Sequence, residues 1–343
     1  MVHFIRKQEI NSNNMMKKIF TVVFITLACC LEAVAYNQVR LVISEGATNQ
    51  QLKEQIEHAV SSVMTEINRL NEKNSPKVAF APAYIMKDAQ NGLNELWANE
   101  HFQCVEEEIV ERLLTTPTGY QVRGIPLIVN AANDGEELGY QEAVINFDKN
   151  GVISSFYYTI APELYTSLRW KQMGDERYEV TDLKERMMIL DYVEHFRTAY
   201  NQKDLKFLRQ IFSDDALIIT GKVIKARKSE ITGPDVVYIT QNKQQYLTNL
   251  SRVFKSAKYI KVSFDDVTIV DHPTIKGIYG VTVRQKWNSG RYSDEGYVFM
   301  VWDFRNPDAP QIHVRTWQPE YLDKARDQRI SPNDVFTLGD FDI

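Results

Sequence analysis

The sequence predicts an α+β fold of two tandem cone-like domains, each with N-terminal helices packed on a curved antiparallel sheet. Residues 188–221, MILDYVEHFRTAYNQKDLKFLRQIFSDDALIITG, contain two short amphipathic helical patterns that lead directly into a strand pattern. Four long strand patterns follow before residue 318, an order typical of helices that pack on an antiparallel meander. The half of the chain before residue 175 repeats this plan, with a strong hairpin signal at Asp148-Lys149-Asn150-Gly151.

The first predicted domain covers residues 36–175 and begins with a strand over residues 38–44. Thr48-Asn49 can cap the first helix, and a second, shorter helix is predicted near residues 93–97. The apolar residues of the first helix recur every three or four positions, at Leu52, Ile56, Val60, Val63, Ile67 and Leu70. The predicted strands are Phe102–Leu114, Tyr120–Ala131, Tyr140–Phe147 and Val152–Ile160.

The second predicted domain covers residues 176–320, and a polar C-terminal tail that wraps loosely or is mobile covers residues 321–343. Residues 224–240 are predicted to be a loop. In the strand over residues 259–270 the apolar phase slips at Asp265-Asp266, which predicts a β-bulge and a bent sheet. Helices are predicted over 189–200, 205–212 and 244–258, and further strands over 216–223, 278–287, 292–303 and 311–317.

Residues 1–35 are predicted to be a secretory signal peptide. Lys17-Lys18 precede an apolar run over residues 19–30, and Ala33-Val34-Ala35 forms a small-x-small cleavage site. The apolar run is too short to span a bilayer comfortably, so we expect no integral membrane span. The protein is therefore expected to be exported, either periplasmic or secreted.

Two features of the leader leave alternatives open. Residues 1–14 fit an over-extended start, and a lipoprotein anchored through Cys29 is the alternative to ordinary cleavage. Cleavage before Tyr36 leaves Cys104 as the one cysteine, which cannot form an internal disulfide and is expected to be a buried small hydrophobe.

Composition excludes several classes of function. The 343 residues are 44% hydrophobic and 25% charged, with a formal net charge of −5 and no long run of one sign, so no nucleic-acid partner is expected. The chain has 15 glycines but no phosphate-binding glycine loop, and we expect no cofactor. It also lacks the H-E-x-x-H, C-x-x-C and G-x-S-x-G motifs of metalloproteases, redox proteins and serine hydrolases.

The segments AYNQKDLKFLRQIFSDDALI and IHVRTWQP, with the helix pair before them, carry a family resemblance. Over roughly residues 182–319 the chain resembles the nuclear transport factor 2-like superfamily. That group includes ketosteroid isomerase, scytalone dehydratase and polyketide cyclases beside many non-catalytic binding and assembly domains. The resemblance implies a cystatin-like α+β cone with a cavity between helices and sheet, and a homodimer through sheet faces. FDKNGVI in the first half matches the hairpin that is usual in this family.

The proton-transfer residue of ketosteroid isomerase is not found at the matching position. The resemblance places that general base a few residues along the strand after Asp214-Asp215, at Thr220 of this chain. Neither Thr220 nor its neighbours Ile219 and Gly221 can act as a base. We therefore assign no catalytic residue.

One face of the predicted meander mixes aromatic and charged side chains, as the lining of a ligand pocket does. A loop over residues 288–290 would place Arg284 opposite Asp294 as an ion pair on one face of the hairpin. The opposite face would then carry the candidate ligand-binding residues Glu295, Tyr297, His313, Arg315 and Trp317.

Among these candidates, Arg315 is expected to bind a carboxylate or other anion between Tyr297 and Trp317. The alternative interpretation is a core face with charged residues only at its open rim. Asp214-Asp215 is interpreted as a cap or turn rather than as a paired acid.

No metal site is predicted. His101 and Cys104 lie near Glu106, Glu107 and Glu108, but positions 101 and 104 would face opposite sides of a strand. The Asp148 hairpin resembles the start of a calcium loop and lacks its later acidic ligands, so a turn is preferred.

These observations favour an exported, non-catalytic binding or assembly protein of the bacterial cell envelope. Its ligand would be a small apolar or anionic molecule, or a protein, held in a cone-shaped cavity. The alternative is a lyase or isomerase acting on a small apolar molecule, with Glu295 or His313 as the base and Tyr297 as hydrogen-bond donor. A scaffold with filled cones is the third interpretation.

Overall fold

The computed structural model describes most of the chain after the predicted leader. The signal peptide, its cleavage site and Cys29 lie outside the described residues. No helix in the described part of the chain is long and apolar enough to cross a membrane. The described ranges are 36–130, 139–160, 169–172, 183–224, 235–290 and 292–342.

In the first half, two helices pack on an antiparallel sheet. The helices are α1 (Gln50–Glu72) and α2 (Lys87–Asn99). The strands are β1 (Arg40–Glu45), β2 (His101–Gln103), β3 (Glu108–Arg112), β4 (Leu114–Thr116), β5 (Gly119–Asn130), β6 (Gly139–Phe147) and β7 (Ile153–Tyr158). The sheet has the order β2-β5-β6-β7 with β4 also paired to β5, while β1 and β3 form a separate parallel pair.

Helix α1 begins and buries its apolar face as predicted. The Asn49 side chain accepts a hydrogen bond from the backbone N–H of Leu52 at 2.8 Å, which caps the first turn. The predicted apolar residues of α1 are buried in the core of this half except Leu70, which is partly buried and packs against it.

The predicted single strand over Phe102–Leu114 is wrong, because the chain leaves the sheet at Cys104. The Asn68 side chain of α1 accepts from the Cys104 N–H and donates to its carbonyl, both at 2.8 Å. These bonds take the place of ladder hydrogen bonds, so β2 pairs with β5 while β3 turns to pair with β1.

The predicted hairpin between β6 and β7 is confirmed. The Asp148 carboxylate accepts from the N–H groups of Asn150 and Val152, each at 2.9 Å, as in an Asx-type turn. Gly151 has a φ of 80°, a left-handed conformation that favours glycine.

In the second half, three helices pack on a curled sheet of seven strands, so the α+β class is confirmed. The helices are α3 (Leu183–Asn201), α4 (Leu205–Ile211) and α5 (Lys243–Ser256). The strands are β8 (Arg169–Gln172), β9 (Phe212–Ile224), β10 (Asp235–Asn242), β11 (Lys261–Asp271), β12 (Ile278–Asn288), β13 (Ser293–Asp303) and β14 (Gln311–Pro319). Their order is β10-β9-β14-β13-β12-β11-β8, antiparallel except for the β14–β9 and β11–β8 pairs.

The predicted bulge in β11 is confirmed. The register of β11 against β12 shifts between Phe264 and Val267, at Asp265-Asp266. A second shift lies between Val301 and Trp302, where β13 pairs with β14. Bulges bend a strand and increase its twist, which curls the sheet around the helices.

The prediction of a loop over residues 224–240 is wrong in its second part, because β10 begins at Asp235. Among the described strands, β10 lies at the sheet edge and pairs with β9 alone. Its residues Val237, Tyr238 and Ile239 are each more than 40% exposed. Apolar residues follow one another here without alternation, so the two-residue period that predicts a half-buried strand is missing.

The predicted register of the β12–β13 hairpin is also wrong. Asn288 pairs with Ser293, and Arg284 pairs with Tyr297 rather than with Asp294. The partner is displaced by three positions, and an odd displacement exchanges the two faces of a strand. Asp294 therefore lies opposite Trp287, while Arg284 donates to Glu320 at 2.8 Å.

The C-terminal residues pack against the sheet, so the prediction of a loose or mobile tail is wrong. Strands β15 (Tyr321–Asp323) and β16 (Gln328–Arg329) form a small hairpin, and Phe336, Leu338 and Phe341 follow it. The Phe341 ring stacks on Phe299 with centroids 5.7 Å apart. This segment covers part of the sheet face that lies away from the helices.

A buried polar cluster joins the two halves. The Arg123 guanidinium of β5 contacts Asp191 at 2.7 Å and Glu194 at 2.6 Å, both on α3. Gln121 donates to the same Asp191 oxygen at 3.0 Å, and the Tyr157 hydroxyl also donates to it. Burial raises the pKa of the Asp191 carboxyl, and Arg123 opposes that shift.

We expect Arg123→Met to lower the free energy of unfolding by about 3 kcal/mol, because it removes a cation in direct contact with the buried Glu194 and the partly buried Asp191. Urea unfolding followed by tryptophan fluorescence measures the change. The matched control is Arg69→Met, which removes a partly exposed ion pair with Glu66 and should cost below about 1 kcal/mol. Equal losses in the two variants would contradict the structural role of the junction.

We expect the Cys104 thiol to be unreactive in the folded chain. Its side chain is buried, and burial raises its pKa to about 11, so the reactive thiolate is scarce at neutral pH. In a chain with Cys29→Ser and Cys30→Ser, a disulfide reagent at neutral pH should titrate Cys104 only after unfolding in urea. Complete reaction of the native chain within minutes would contradict the burial of this thiol.

Candidate ligand-binding site

An open pocket of about 900 Å³ lies at one end of the seven-stranded sheet. Its walls come from the ends of β9, β12 and β14 and the beginnings of β11 and β13. The C-terminal segment and the end of α2 complete it, so both halves of the chain contribute. A pocket of this volume is large enough for a drug-sized organic molecule.

Aromatic side chains form much of the pocket wall. Trp287 of β12 and Trp317 of β14 lie on the helix-facing side of the sheet, where both pack against the hydrophobic core. Tyr259, Tyr292 and Tyr321 add further rings. Rings of this kind supply a large contact area with little conformational freedom to lose on binding.

Asp294 is a half-buried carboxyl in the pocket wall. The Tyr292 hydroxyl donates to Asp294 Oδ2 at 2.6 Å, while Oδ1 is buried and has no hydrogen-bond partner among the described residues. Burial raises the pKa of Asp294, and the Tyr292 hydrogen bond and the charge of Arg315 lower it in part. This carboxyl can accept a further hydrogen bond or take up a proton.

Arg315 lies beneath the pocket, two residues before Trp317 on the same strand. It is only 5% exposed, and its guanidinium lies over the Tyr246 ring at 5.4 Å. The hydroxyls of Tyr246 and Tyr200 are 2.7 Å apart beside it. Within the described ranges Arg315 forms no ion pair with a carboxylate, and its Nε has no partner.

Gly296 allows the Trp317 indole to lie across β13. A Cβ atom at Gly296 would come within 2.2 Å of the Gln318 carbonyl oxygen and 3.1 Å of Trp317 Cε2. Any side chain at this position would therefore push β14 away. The Trp317 Nε1–H is buried and finds no acceptor in the part of the chain that the structure describes.

The first half contributes Asn99, at the end of α2. Its side-chain nitrogen donates to the Ile260 carbonyl at 2.9 Å and to the Asn201 carbonyl at 3.3 Å. These two bonds fix the orientation of the amide. The Asn99 Oδ1 is buried at the pocket wall with no described donor.

The five candidates from the sequence fall on two faces of the sheet. Trp317 and Glu295 line the pocket, and Arg315 lies beneath it. Glu295 is at the rim, with Lys324 at 3.5 Å and Arg284 at 3.9 Å. A role for these residues in ligand binding stays a prediction.

Tyr297 and His313 lie elsewhere. Tyr297 pairs with Arg284 and Gln318 on the face away from the helices, so it does not flank Arg315. His313 lies at the bulge of β14, with Nε2 3.2 Å from Asp303 and Nδ1 3.6 Å from Asp215. The expectation of one shared face is wrong because β13 pairs Tyr297 with Gln318 and Met300 with Arg315, which places Tyr297 and Arg315 on opposite faces of the sheet.

Sequence reasoning missed Asp294, Trp287 and Asn99 as pocket residues. The sequence gives no usable signal for Asp294, because residues 297–302 are all apolar and do not show which side of β13 faces the core. In the structure Val298, Met300 and Trp302 face the core, and the same alternation places Asp294 on that side. No sequence pattern indicates Asn99, since it reaches the pocket only through the packing of the two halves. The described residues contain no group of three or more His, Cys, Asp and Glu side chains arranged to hold a metal ion.

No protein-family model matches the chain, and no curated protein matches it. Solved structures similar to part of the chain include a nuclear transport factor 2-like superfamily protein from Salmonella enterica serovar Typhimurium, with 11% identity and a TM-score of 0.31, over 40% of this chain and 93% of that one. A protein from Shewanella frigidimarina described as a candidate ketosteroid isomerase has 12% identity and a TM-score of 0.27, over 38% and 94%. Naphthalene 1,2-dioxygenase with indole bound has 9% identity and a TM-score of 0.33, over 41% and 82%. The chain is thus similar, over about 40% of its length, to solved structures that include a nuclear transport factor 2-like protein.

Proposed function

We propose that this chain is an exported binding or assembly protein of the bacterial cell envelope, built from two tandem cone-like domains. It holds a small molecule in the pocket between Trp287 and Trp317. The export part of the proposal rests on the leader pattern over residues 1–35. The binding part rests on the pocket.

One observation carries the binding proposal. Four polar atoms at or beneath the pocket are buried without a described partner: Asn99 Oδ1, Asp294 Oδ1, Arg315 Nε and Trp317 Nε1. A buried polar atom without a hydrogen bond costs about 1–3 kcal/mol. Their concentration beside one pocket supports a bound molecule that supplies both hydrogen-bond donors and acceptors, with small side-chain movements in the wall on binding.

Pairing of two copies through sheet faces also belongs to this proposal. Phe336, Leu338 and Phe341 cover part of the face that would be used. Pairing would therefore need the remaining part of that face or the displacement of the C-terminal segment.

We expect a small molecule to remain bound when the protein is purified and examined by native mass spectrometry. Trp317→Leu removes the indole that lies across the pocket and should weaken binding at least about tenfold, the effect typical of a buried aromatic contact. The control Tyr140→Leu changes a tyrosine that is 56% exposed and outside the pocket, and should keep the bound mass.

The same spectra give the outcome that would contradict the proposal. Small-molecule binding is excluded if the wild-type chain shows only the mass of its polypeptide and gains no mass after incubation with an extract of the producing cells. The same spectra show whether the protein forms a homodimer.

Asp294 favours a second candidate function, a lyase or isomerase acting on a small apolar molecule. A carboxyl with a raised pKa and one unpartnered oxygen beside a pocket can take a proton from a bound molecule. Glu295 remains at the rim, and His313 and Tyr297 lie on other parts of the sheet, so Asp294 replaces them in this candidate mechanism.

Deuterium incorporation separates the two candidates. If Asp294 transfers protons, the molecule released after incubation in D₂O should carry carbon-bound deuterium, and Asp294→Asn should abolish the mass gain while the molecule stays bound. A released molecule of unchanged mass would leave binding as the function of the pocket.

A further inference from the structure

We infer that the pocket takes an aromatic molecule with an anionic group, its rings against Trp287 and Trp317 and its anion toward Lys222 and Lys258. This inference rests on the proposed binding function and adds the chemical class of the ligand. It follows from the lining of the pocket, from the pairing of its lysines and from the charges beneath it.

The walls favour a flat apolar body. Trp287 and Trp317 come from β12 and β14, separated in the sheet by β13, which presents Gly296 and Asp294 on the same face. The glycine lets the Trp317 indole lie across β13, because a Cβ atom there would come within 3.1 Å of Trp317 Cε2. Both indoles line the pocket, so a planar ring bound in it can contact them.

The rim carries five lysines, of which three are neutralised by neighbouring carboxylates. Lys261 contacts Glu100, Lys286 is 2.7 Å from Asp265, and Lys324 is 3.5 Å from Glu295. The other two, Lys222 and Lys258, line the pocket from β9 and from the connection after α5. Neither forms an ion pair with any residue that the structure describes.

The charges inside the pocket agree with those at the rim. Arg315 is buried, always charged and has no carboxylate in contact among the described side chains. The charge of Asp294 acts on Arg315, but the two side chains form no ion pair. A buried cation without a counter-ion in direct contact is costly, so an anion near the pocket is stabilising.

An aromatic cation is the opposing possibility, because aromatic rings beside a carboxylate can bind ammonium groups. Two unneutralised lysines and a buried arginine would repel such a ligand, and the Asp294 carboxyl alone would attract it without competition from an ion-pair partner. The hydrogen-bond acceptors Asn99 Oδ1 and Asp294 Oδ1 instead suit neutral donors on the ligand, such as hydroxyl or amide groups.

Three probes of the same shape test the sign of the charge. Calorimetric titration of the full chain with 2-naphthoate, with 2-naphthamide and with 2-naphthylmethylammonium compares an anion, a neutral molecule and a cation. We expect 2-naphthoate to bind at least about tenfold more tightly than the amide. Its affinity should fall as sodium chloride rises from about 50 mM to about 500 mM, while that of the amide stays constant.

A matched pair of variants tests the two lysines. Lys222→Gln with Lys258→Gln should remove the preference for 2-naphthoate and leave binding of the amide unchanged. The control, Lys149→Gln with Lys276→Gln, changes the net charge equally at exposed positions outside the pocket. It should keep the preference.

Each other outcome overturns the inference in a recognisable way. Equal affinity for the anion and the amide removes the role of charge while small-molecule binding stands. Tightest binding of the ammonium probe indicates a cation site. Binding of none of the probes overturns the inference, and the native mass spectrum then decides separately whether the binding function also fails.

Discussion

Strand β13 is buried on both faces, and the geometry of the second half depends on this constraint. Val298, Met300 and Trp302 pack under the helices, while Phe299 and Val301 pack under the C-terminal segment. A slip of one residue against β12 would exchange the two sets and break both cores at once. The register is therefore fixed, and it carries the Asp294 carboxyl to the helix side.

The same burial on both faces explains which parts of the structure could be predicted from the sequence and which could not. Helix α1, the β6–β7 hairpin and the bulge at Asp265-Asp266 have a one-sided apolar pattern or a specific turn residue, so they could be predicted. Strand β13 has a continuous apolar run, which does not show which of its side chains face the core, and the predicted loop before it is one residue too short. Strand β10 was missed because an edge strand needs little alternation. Of the five candidates predicted from the sequence, Trp317, Glu295 and Arg315 therefore lie at or beneath the pocket, whereas Tyr297 and His313 do not.

The pocket and the junction of the halves follow opposite electrostatic rules. At the junction, Arg123 is in direct contact with Asp191 and Glu194, and the charges compensate one another inside the protein. In the pocket, Arg315 and Asp294 influence each other without forming an ion pair. Packing that separates two opposite charges leaves each able to interact with a third group. The first arrangement holds the fold together, and the second is suited to recognition.

Strand β8 gives this architecture a practical consequence. It belongs to the sheet of the second half but precedes α3 in the chain, and it pairs in parallel with β11. A fragment that begins near residue 175 would contain six strands of that sheet. Strand β11 would then be an edge strand with unpaired backbone N–H and C=O groups, and such an edge is prone to intermolecular association. The same fragment would lack Asn99 of the pocket wall. A separated C-terminal half would thus be prone to aggregation and would have an incomplete pocket wall.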